Sequence, residues 1–174
     1  VDRVLGSLGL GPEAREAFLL AAGRKFDKDD TSAVTGGIGE DFVVDLLRSE
    51  LSTAGHPDLA NQVRRVSLIS DELGYDVTAP RLDGSSRRIE VKSSTAVNRH
   101  FRFFLTANEW RVGTHDPDWS LVFVAVEEQH PTLVGWAETK DLAEQMPRNQ
   151  SALTLWTATR VVVPLEDVRA GLPE

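Results

Sequence analysis

Leu121-Val122-Phe123-Val124-Ala125-Val126 is an unbroken apolar run of six residues. A strand with one wet face alternates apolar and polar side chains, so a run with no polar position predicts a strand buried on both faces. Such a strand belongs in the middle of a sheet that is covered on each side. At 174 residues the chain is long enough to build that arrangement as a compact domain without staples. The run is also the longest strongly apolar stretch, and it falls far short of a bilayer span.

The covering layers are readable on either side of it. Ala14, Ala17, Phe18, Ala21 and Ala22 recur at helical spacing behind Pro12, predicting a helix over 12–26. Asp27-Lys28-Asp29-Asp30-Thr31-Ser32 then reads as a linker. A second helix is predicted from Gly37 to Thr53, with Phe42, Val43, Leu46, Leu47 and Leu51 as its apolar stripe and Gly55 and Pro57 beyond its end. The period then changes from helix to strand. Strands are expected at Val63–Ile69, Tyr75–Arg81 and Arg87–Thr95, with Asp83-Gly84-Ser85-Ser86 as the turn joining the last two. Phe101, Phe103 and Leu105 make a fourth strand, and Thr106-Ala107-Asn108-Glu109 has the spacing of a capping box opening a short helix through Trp110. Thr132–Ala137 is a further strand and Val161–Val163 an edge strand, with short helices near Thr139–Gln145 and Leu165–Ala170. The order predicts an α/β or α+β fold, of which α/β is taken, with a central mixed β-sheet flanked by helices. Residues 1–32 read as a helix and linker, either packed on the core or the tail of an upstream domain, and 33–174 as the main domain. The first residue, Val1, is not a methionine, which suggests a piece of something longer.

Charge looks unfavourable for a nucleic-acid partner, because the chain carries −8 and affinity for DNA comes largely from phosphate neutralisation. The distribution is uneven. Between Arg81 and Arg102 stand six basic residues (Arg81, Arg87, Arg88, Lys92, Arg99 and Arg102) against Asp83 and Glu90, a local +4 that leaves −12 for the rest. Such an island suits a phosphate contact; the ordinary alternative is a solvated basic face.

Within that island Glu90 and Lys92 lie two apart, so on a strand they share a face while Val91 points the other way. If the hairpin turns near Ser85, residues whose numbers sum to about 168 face each other. Asp76 then lies opposite Lys92 and diagonal to Glu90, on the same face; a one-residue slip would dissolve the cluster. A hard divalent cation such as Mg²⁺ or Mn²⁺ takes a pair of carboxylates, a carbonyl and waters, which Asp76, Glu90 and the Val91 carbonyl can supply. A metal there neutralises a scissile phosphate and acidifies a bound water, while Lys92 orients that water, acting as a base only with a depressed pKa. The ordinary alternative is a surface ladder of ion pairs. Glu40, in the first turn of the predicted second helix, is explained by the helix dipole.

Gly39-Glu40, then Gly74-Tyr75-Asp76-Val77, Arg88-Ile89-Glu90-Val91-Lys92-Ser93-Ser94, Phe103-Phe104-Leu105-Thr106, Asn108-Glu109-Trp110 and the apolar strand at Leu121 follow one another in an order that resembles a known family. It is that of the NO VEIN C-terminal-like domain, placed in the PD-(D/E)xK restriction-endonuclease-like superfamily, and it covers roughly Gly36 to Val126. The resemblance implies a restriction-endonuclease-like core with Asp76, Glu90 and Lys92 at the metal and water positions. It implies that Glu40 helps hold the metal, and that the chain sits in a larger restriction or defence protein. Asn108 and Glu109 match its motif, though the capping box already accounts for Glu109.

Together these features predict a Mg²⁺- or Mn²⁺-dependent endonuclease that hydrolyses DNA, with Arg87, Arg88, Ser93, Ser94, Arg99, His100 and Arg102 as backbone contacts. A module on the same fold that binds DNA or a partner protein without cutting is the alternative, and an upstream domain or partner subunit would supply specificity. The absence of cysteine excludes disulfides and thiolate zinc sites, and the four histidines stand at no metal-ligand spacing. A cytoplasmic location and no membrane contact are expected. The four tryptophans are expected to be packing residues rather than a stacking platform.

Overall fold

The computed structural model describes residues 12–69, 73–147 and 156–174, with side chains from Ser32 onward. The chain divides into two compact units, Val1–Val34 and Thr35–Glu174. Of the first, the described backbone is helical. The second contains the sheet and everything that follows.

Helix α1 is one element, Pro12–Thr53, and so includes the stretch 27–32 expected to be a linker. That stretch is polar but holds neither Gly nor Pro, the two residues that oppose helix strongly. In the second unit α1 presents Val43, Val44, Leu47 and Leu51 to the core. It ends with Gly55 at φ +87, the left-handed conformation a glycine adopts without steric penalty. A short helix α2 (Pro57–Ala60) follows.

Five strands form the main sheet in the order β1-β2-β3-β5-β6: β1 Arg64–Arg65, β2 Val77–Pro80, β3 Ser86–Ser94, β5 Trp119–Glu127 and β6 His130–Ala137. All neighbours are antiparallel except β3 and β5, which run parallel, so the sheet is mixed. The crossover between β3 and β5 carries β4 (His100–Thr106) and α3 (Ala107–His115). β4 leaves the main sheet and pairs with β7 (Ala158–Pro164) as a separate antiparallel ribbon. After β6 come α4 (Thr139–Leu142) and a 3-10 turn, Ala143–Gln145. A second 3-10 turn, Leu165–Asp167, stands where a longer helix was expected.

The first expected strand, 63–69, shrinks to two residues. Both Val66 and Ser67 donate to the Asp76 carbonyl, at 2.7 and 3.2 Å, and this turns the chain away from the sheet, leaving Leu68 and Ile69 exposed.

β5 behaves as its composition requires: its eight residues from Trp119 to Val126 are all buried. Val122, Val124 and Val126 face a core shared with α1, Ile89 and Val91. Leu121 and Phe123 face a second core built with Phe101, Phe103, Leu105, Val161 and Val163 of the ribbon. In that second core the rings of Phe101, Phe103 and Phe123 lie 4.9–6.2 Å apart. At about 25 cal/mol per Å² of apolar surface, each fully buried Leu, Val or Phe contributes roughly 1.5–3 kcal/mol, so this strand anchors both layers. Trp119 is buried, and Trp110, Trp136 and Trp156 pack against the two cores, as expected for packing residues.

Candidate functional site

The hairpin between β2 and β3 turns about Asp83, whose Oδ1 accepts from Ser85 N (2.9 Å) and Ser85 Oγ (2.7 Å), with Gly84 at φ +87. The observed register pairs Val77 with Ile89, so facing residues sum to 166 rather than 168. Continued one step beyond β2, this register brings Asp76 level with Glu90 instead of Lys92. An even slip leaves the parity of a regular ladder intact, and Asp76, just ahead of β2, stands near enough to Glu90 and Lys92 for their charges to act on one another.

Asp76 stands where β3 has run past the start of β2. Its N–H donates to Ile89 O (2.9 Å), and its Oδ2 accepts the Val91 N–H (2.8 Å) that would otherwise have no strand partner. The Val91 carbonyl leaves the strand on that same edge. Gly74 sets up the approach. It has φ +72, its carbonyl accepts from Trp119 Nε1 (2.8 Å), and a Cβ there would stand 2.7 Å from Val112 of α3.

Glu90 and Lys92 point away from the α1 core, toward α3. Glu90 is 5% exposed, and Lys92 Nζ lies 2.7 Å from its Oε1. The second partner of Lys92 is Glu109 Oε2, at 2.8 Å. Glu109 Oε2 also accepts from Thr106 N (3.0 Å), and Thr106 Oγ1 accepts from Glu109 N (3.2 Å), completing the capping box of α3. Glu109 therefore does two jobs, and the capping pattern that accounted for it in the sequence concealed the second.

Glu40 is not in a first helical turn, because α1 has already run from Pro12; the helix-dipole explanation falls. Its partner is Arg65, whose Nε lies 2.8 Å from Oε2, and Ser67 Oγ donates to the same oxygen. Arg65 also holds Asp41 at 2.8 Å. Gly39 lets the helix come this close to the sheet: a Cβ there would lie 1.9 Å from Ser93 Oγ. Glu40 thus stands beside Asp76 as a charge, with Oε2 committed to Arg65 and Ser67 and Oε1 accepting no hydrogen bond among the described residues.

The electrostatics follow from burial. Desolvation, aided by the nearby Glu40 and Glu109 carboxylates, raises Asp76 from 3.8 to about 6 despite the Val91 hydrogen bond and Lys92. Desolvation likewise pushes Glu90 well above the usual carboxylate range, Asp76 and Glu109 adding to it and Lys92 opposing. For Lys92 burial acts downward, but Glu90 and Glu109 outweigh it and raise the ammonium above its ordinary value. Lys92 is therefore held as a cation, the opposite of the depressed pKa that a base role needs.

As donors for a hard cation, Asp76 Oδ1 and Glu90 Oε2 accept no hydrogen bond among the described residues. No group of three or more His, Asp or Glu side chains among those residues converges as a ready cage. The donor set is two carboxylates and a backbone carbonyl, the pattern that leaves Mg²⁺ several waters.

The expected DNA contacts separate into two groups. Arg87 is 3% exposed, on the α1 face, bound to Glu50 (3.0 Å) and the Pro173 carbonyl (3.1 Å); it cannot reach a phosphate. Ser93 Oγ is buried beneath Gly39 and is likewise unavailable. Arg88 is held by Asp116 (3.1 Å) and Asp118 (3.5 Å), and Arg81 by Asp118 (2.6 Å). Ser94 Oγ accepts from Ala96 N within its own turn. Arg99 and Arg102 are exposed and form no ion pair among the described residues, and His100 is half-buried at the start of β4. Four of the six island cations are thus already neutralised within the fold.

No helix among the described residues is long and apolar enough to cross a membrane. No curated protein and no solved structure matches the chain. A family model described as Protein NO VEIN, C-terminal, matches residues 39–136, more than half of the sequence, and its span runs from Gly39 through Asp76, Glu90, Lys92 and Glu109 to Trp136. The chain belongs to the NO VEIN C-terminal family.

Proposed function

We propose that the unit Thr35–Glu174 is a Mg²⁺- or Mn²⁺-dependent DNA endonuclease of the PD-(D/E)xK type, working within a larger restriction or defence protein whose other parts select the target. The observation that carries this is the buried cluster Asp76–Glu90–Lys92, in which two carboxylates kept above their normal pKa share one face with a fixed ammonium. Carboxylates in that condition are short of positive charge, and a divalent cation supplies it. The metal, held by Asp76, Glu90 and the Val91 carbonyl, would polarise the scissile phosphate and acidify a bound water.

The chain's own groups do the rest. An ammonium has three N–H donors; Lys92 spends two on Glu90 and Glu109, leaving one for a water or a phosphate oxygen. Its two carboxylate partners hold that donor in one direction, so it is preorganised where negative charge develops. Glu109, tied into the cap of α3, acts through Lys92 as a positioning residue. Glu40 and Arg65 fix α1 against β1 beside Asp76.

Supercoiled plasmid with Mg²⁺ or Mn²⁺ should be nicked or linearised, and Glu90→Ala and Lys92→Ala should each abolish this. Cleavage that survives both substitutions removes the assignment. A second reading, a module of this fold that binds DNA or a partner protein without cutting, is favoured by the absence of a three-acid cage among the described residues. Metal-independent DNA retention by a wild type that never cuts would select it.

A further inference from the structure

The β4–β7 ribbon buries one face and leaves the other open. Phe101, Phe103, Leu105, Val161 and Val163 point into the second core. By strand alternation the opposite face carries His100, Arg102 and Phe104 on β4, with Arg160 and Val162 on β7. The register sets Phe104 directly across from Arg160 and Arg102 across from Val162. Phe104 is 65% exposed, the one aromatic among the exposed large hydrophobics of the described residues. Neither arginine forms an ion pair or a cation–π contact among those residues. No Asp or Glu occurs in either strand, although the whole chain carries −8.

We infer that this face binds a single-stranded DNA segment, with a base stacked on Phe104 and its flanking phosphates held by Arg102 and Arg160. The geometry suits the ligand. Cross-strand neighbours lie about 5 Å apart and same-face residues on one strand about 7 Å apart, which sets one cation across the ribbon from the ring and a second beside it along β4. An aromatic with arginines beside it on two sides stacks on any base and grips the backbone without reading sequence. A protein strand adding to the ribbon edge is disfavoured, because Gln145 occupies both the N–H and the carbonyl of Val162, each at 3.0 Å. The ribbon also leads to the site already described: two residues beyond Phe104, Thr106 N donates to the Glu109 oxygen that holds Lys92. The choice of DNA rests on the nuclease reading; the stacking and charge geometry do not.

The test is fluorescence anisotropy in EDTA, with the full chain and a labelled 20-nucleotide oligo-thymidine or a duplex of equal length. Wild type should bind the single strand more tightly than the duplex. Phe104→Ala should weaken single-strand binding on the order of ten-fold and leave the weaker duplex binding nearly unchanged. Arg102→Ala with Arg160→Ala should lower the slope of log affinity against log salt by about 1.4. All three positions are on the open face, and unchanged far-UV circular dichroism and thermal melts would confirm intact folding. Lys140→Ala, which removes a cation already paired with Glu138, should bind like wild type. Absence of single-strand binding by wild type, or affinity unmoved by the ribbon substitutions, overturns the inference. Because the readout is metal-free, the two ideas fail separately. A wild type that binds but never cuts removes the nuclease and leaves the ribbon. One that cuts plasmid while the ribbon variants bind normally does the reverse.

Discussion

Replacing Asp76 by Asn should stabilise the metal-free protein at neutral pH, although it removes a residue on which the proposed activity depends. The Asp76 carboxyl titrates near 6 in the fold against 3.8 when unperturbed, because burial and the neighbouring Glu40 and Glu109 disfavour its charge. Below the unfolded value both states are protonated and the group adds nothing to the pH dependence. Between the two values the unfolded chain gives up its proton while the folded one keeps it, so stability falls as pH rises. Above the folded value the whole difference is lost, about 2 pKa units or roughly 3 kcal/mol at 1.36 kcal/mol per unit. Asn has the same shape, and its amide oxygen can still accept the Val91 N–H now bonded to Oδ2 at 2.8 Å. In EDTA, urea denaturation of wild type and Asp76→Asn should therefore nearly coincide at pH 4, with the variant the more stable by up to about 3 kcal/mol at pH 7.5. Mg²⁺ should then close the gap by stabilising wild type alone. A gap that is the same at both pH values, or a variant less stable throughout, refutes the reasoning. Confirmation would mean that the site holds strain in reserve for a cation, the usual trade of stability for function.

Three further outcomes follow from the packing around the site. Gly39→Ala should destabilise by about 1–2 kcal/mol, since overpacking against Ser93 Oγ at 1.9 Å exceeds the helix-propensity gain of about 1 kcal/mol; Ser93→Ala should rescue it in a double-mutant cycle read by urea melts. Glu50→Ala should cost about 2 kcal/mol by leaving buried Arg87 with the Pro173 carbonyl alone, whereas Arg87→Met should be nearly neutral in stability and should not weaken DNA binding in a filter assay. Glu109→Gln should leave the thermal midpoint within a few degrees of wild type, because Gln also completes a capping box, yet reduce plasmid nicking at least ten-fold by removing the charge that holds Lys92.

Where a structural cause was local, it was legible in the sequence. The six apolar residues of Leu121–Val126 could only be a strand with no wet face, and the β5 residues do divide between two cores. The stripe of Val43, Leu47 and Leu51 and the capping box at Thr106–Glu109 also stand as read. Distant causes were not. The β-branched stretch after Val63 is bent out of the sheet by the Asp76 carbonyl, and no residue within 63–69 announces it. The ribbon joins His100–Thr106 to Ala158–Pro164, partners more than fifty residues apart, and Val161–Val163 alone could say only that some edge existed. The polar stretch 27–32 reads as a linker in sequence, but polarity alone does not break a helix, and α1 runs through it.

The site divides along the same line, and charge shows why. Glu90 and Lys92 share a face by the period of a strand, a property of two neighbouring residues. Arg65 holding Glu40 across 25 residues has no such signature. Counting formal charges between Arg81 and Arg102 gave an island of +4, but formal charge is indifferent to partners. Glu50, Asp116, Asp118 and Glu109 arrive from other elements and take Arg87, Arg88, Arg81 and Lys92 out of that sum. A cation paired at about 3 Å contributes little field a few ångströms further out, because its partner cancels it there. The positive field outside is therefore left to cations with no ion pair among the described residues: Arg99 and Arg102, joined by Arg160 from a strand that lies outside the island in sequence. An acidic chain can present a basic surface in this way, provided the fold spends its cations unevenly. Paired arginines and the paired lysine hold the sheet and the face of Glu90, and the arginines with no ion pair among the described residues are left at the surface.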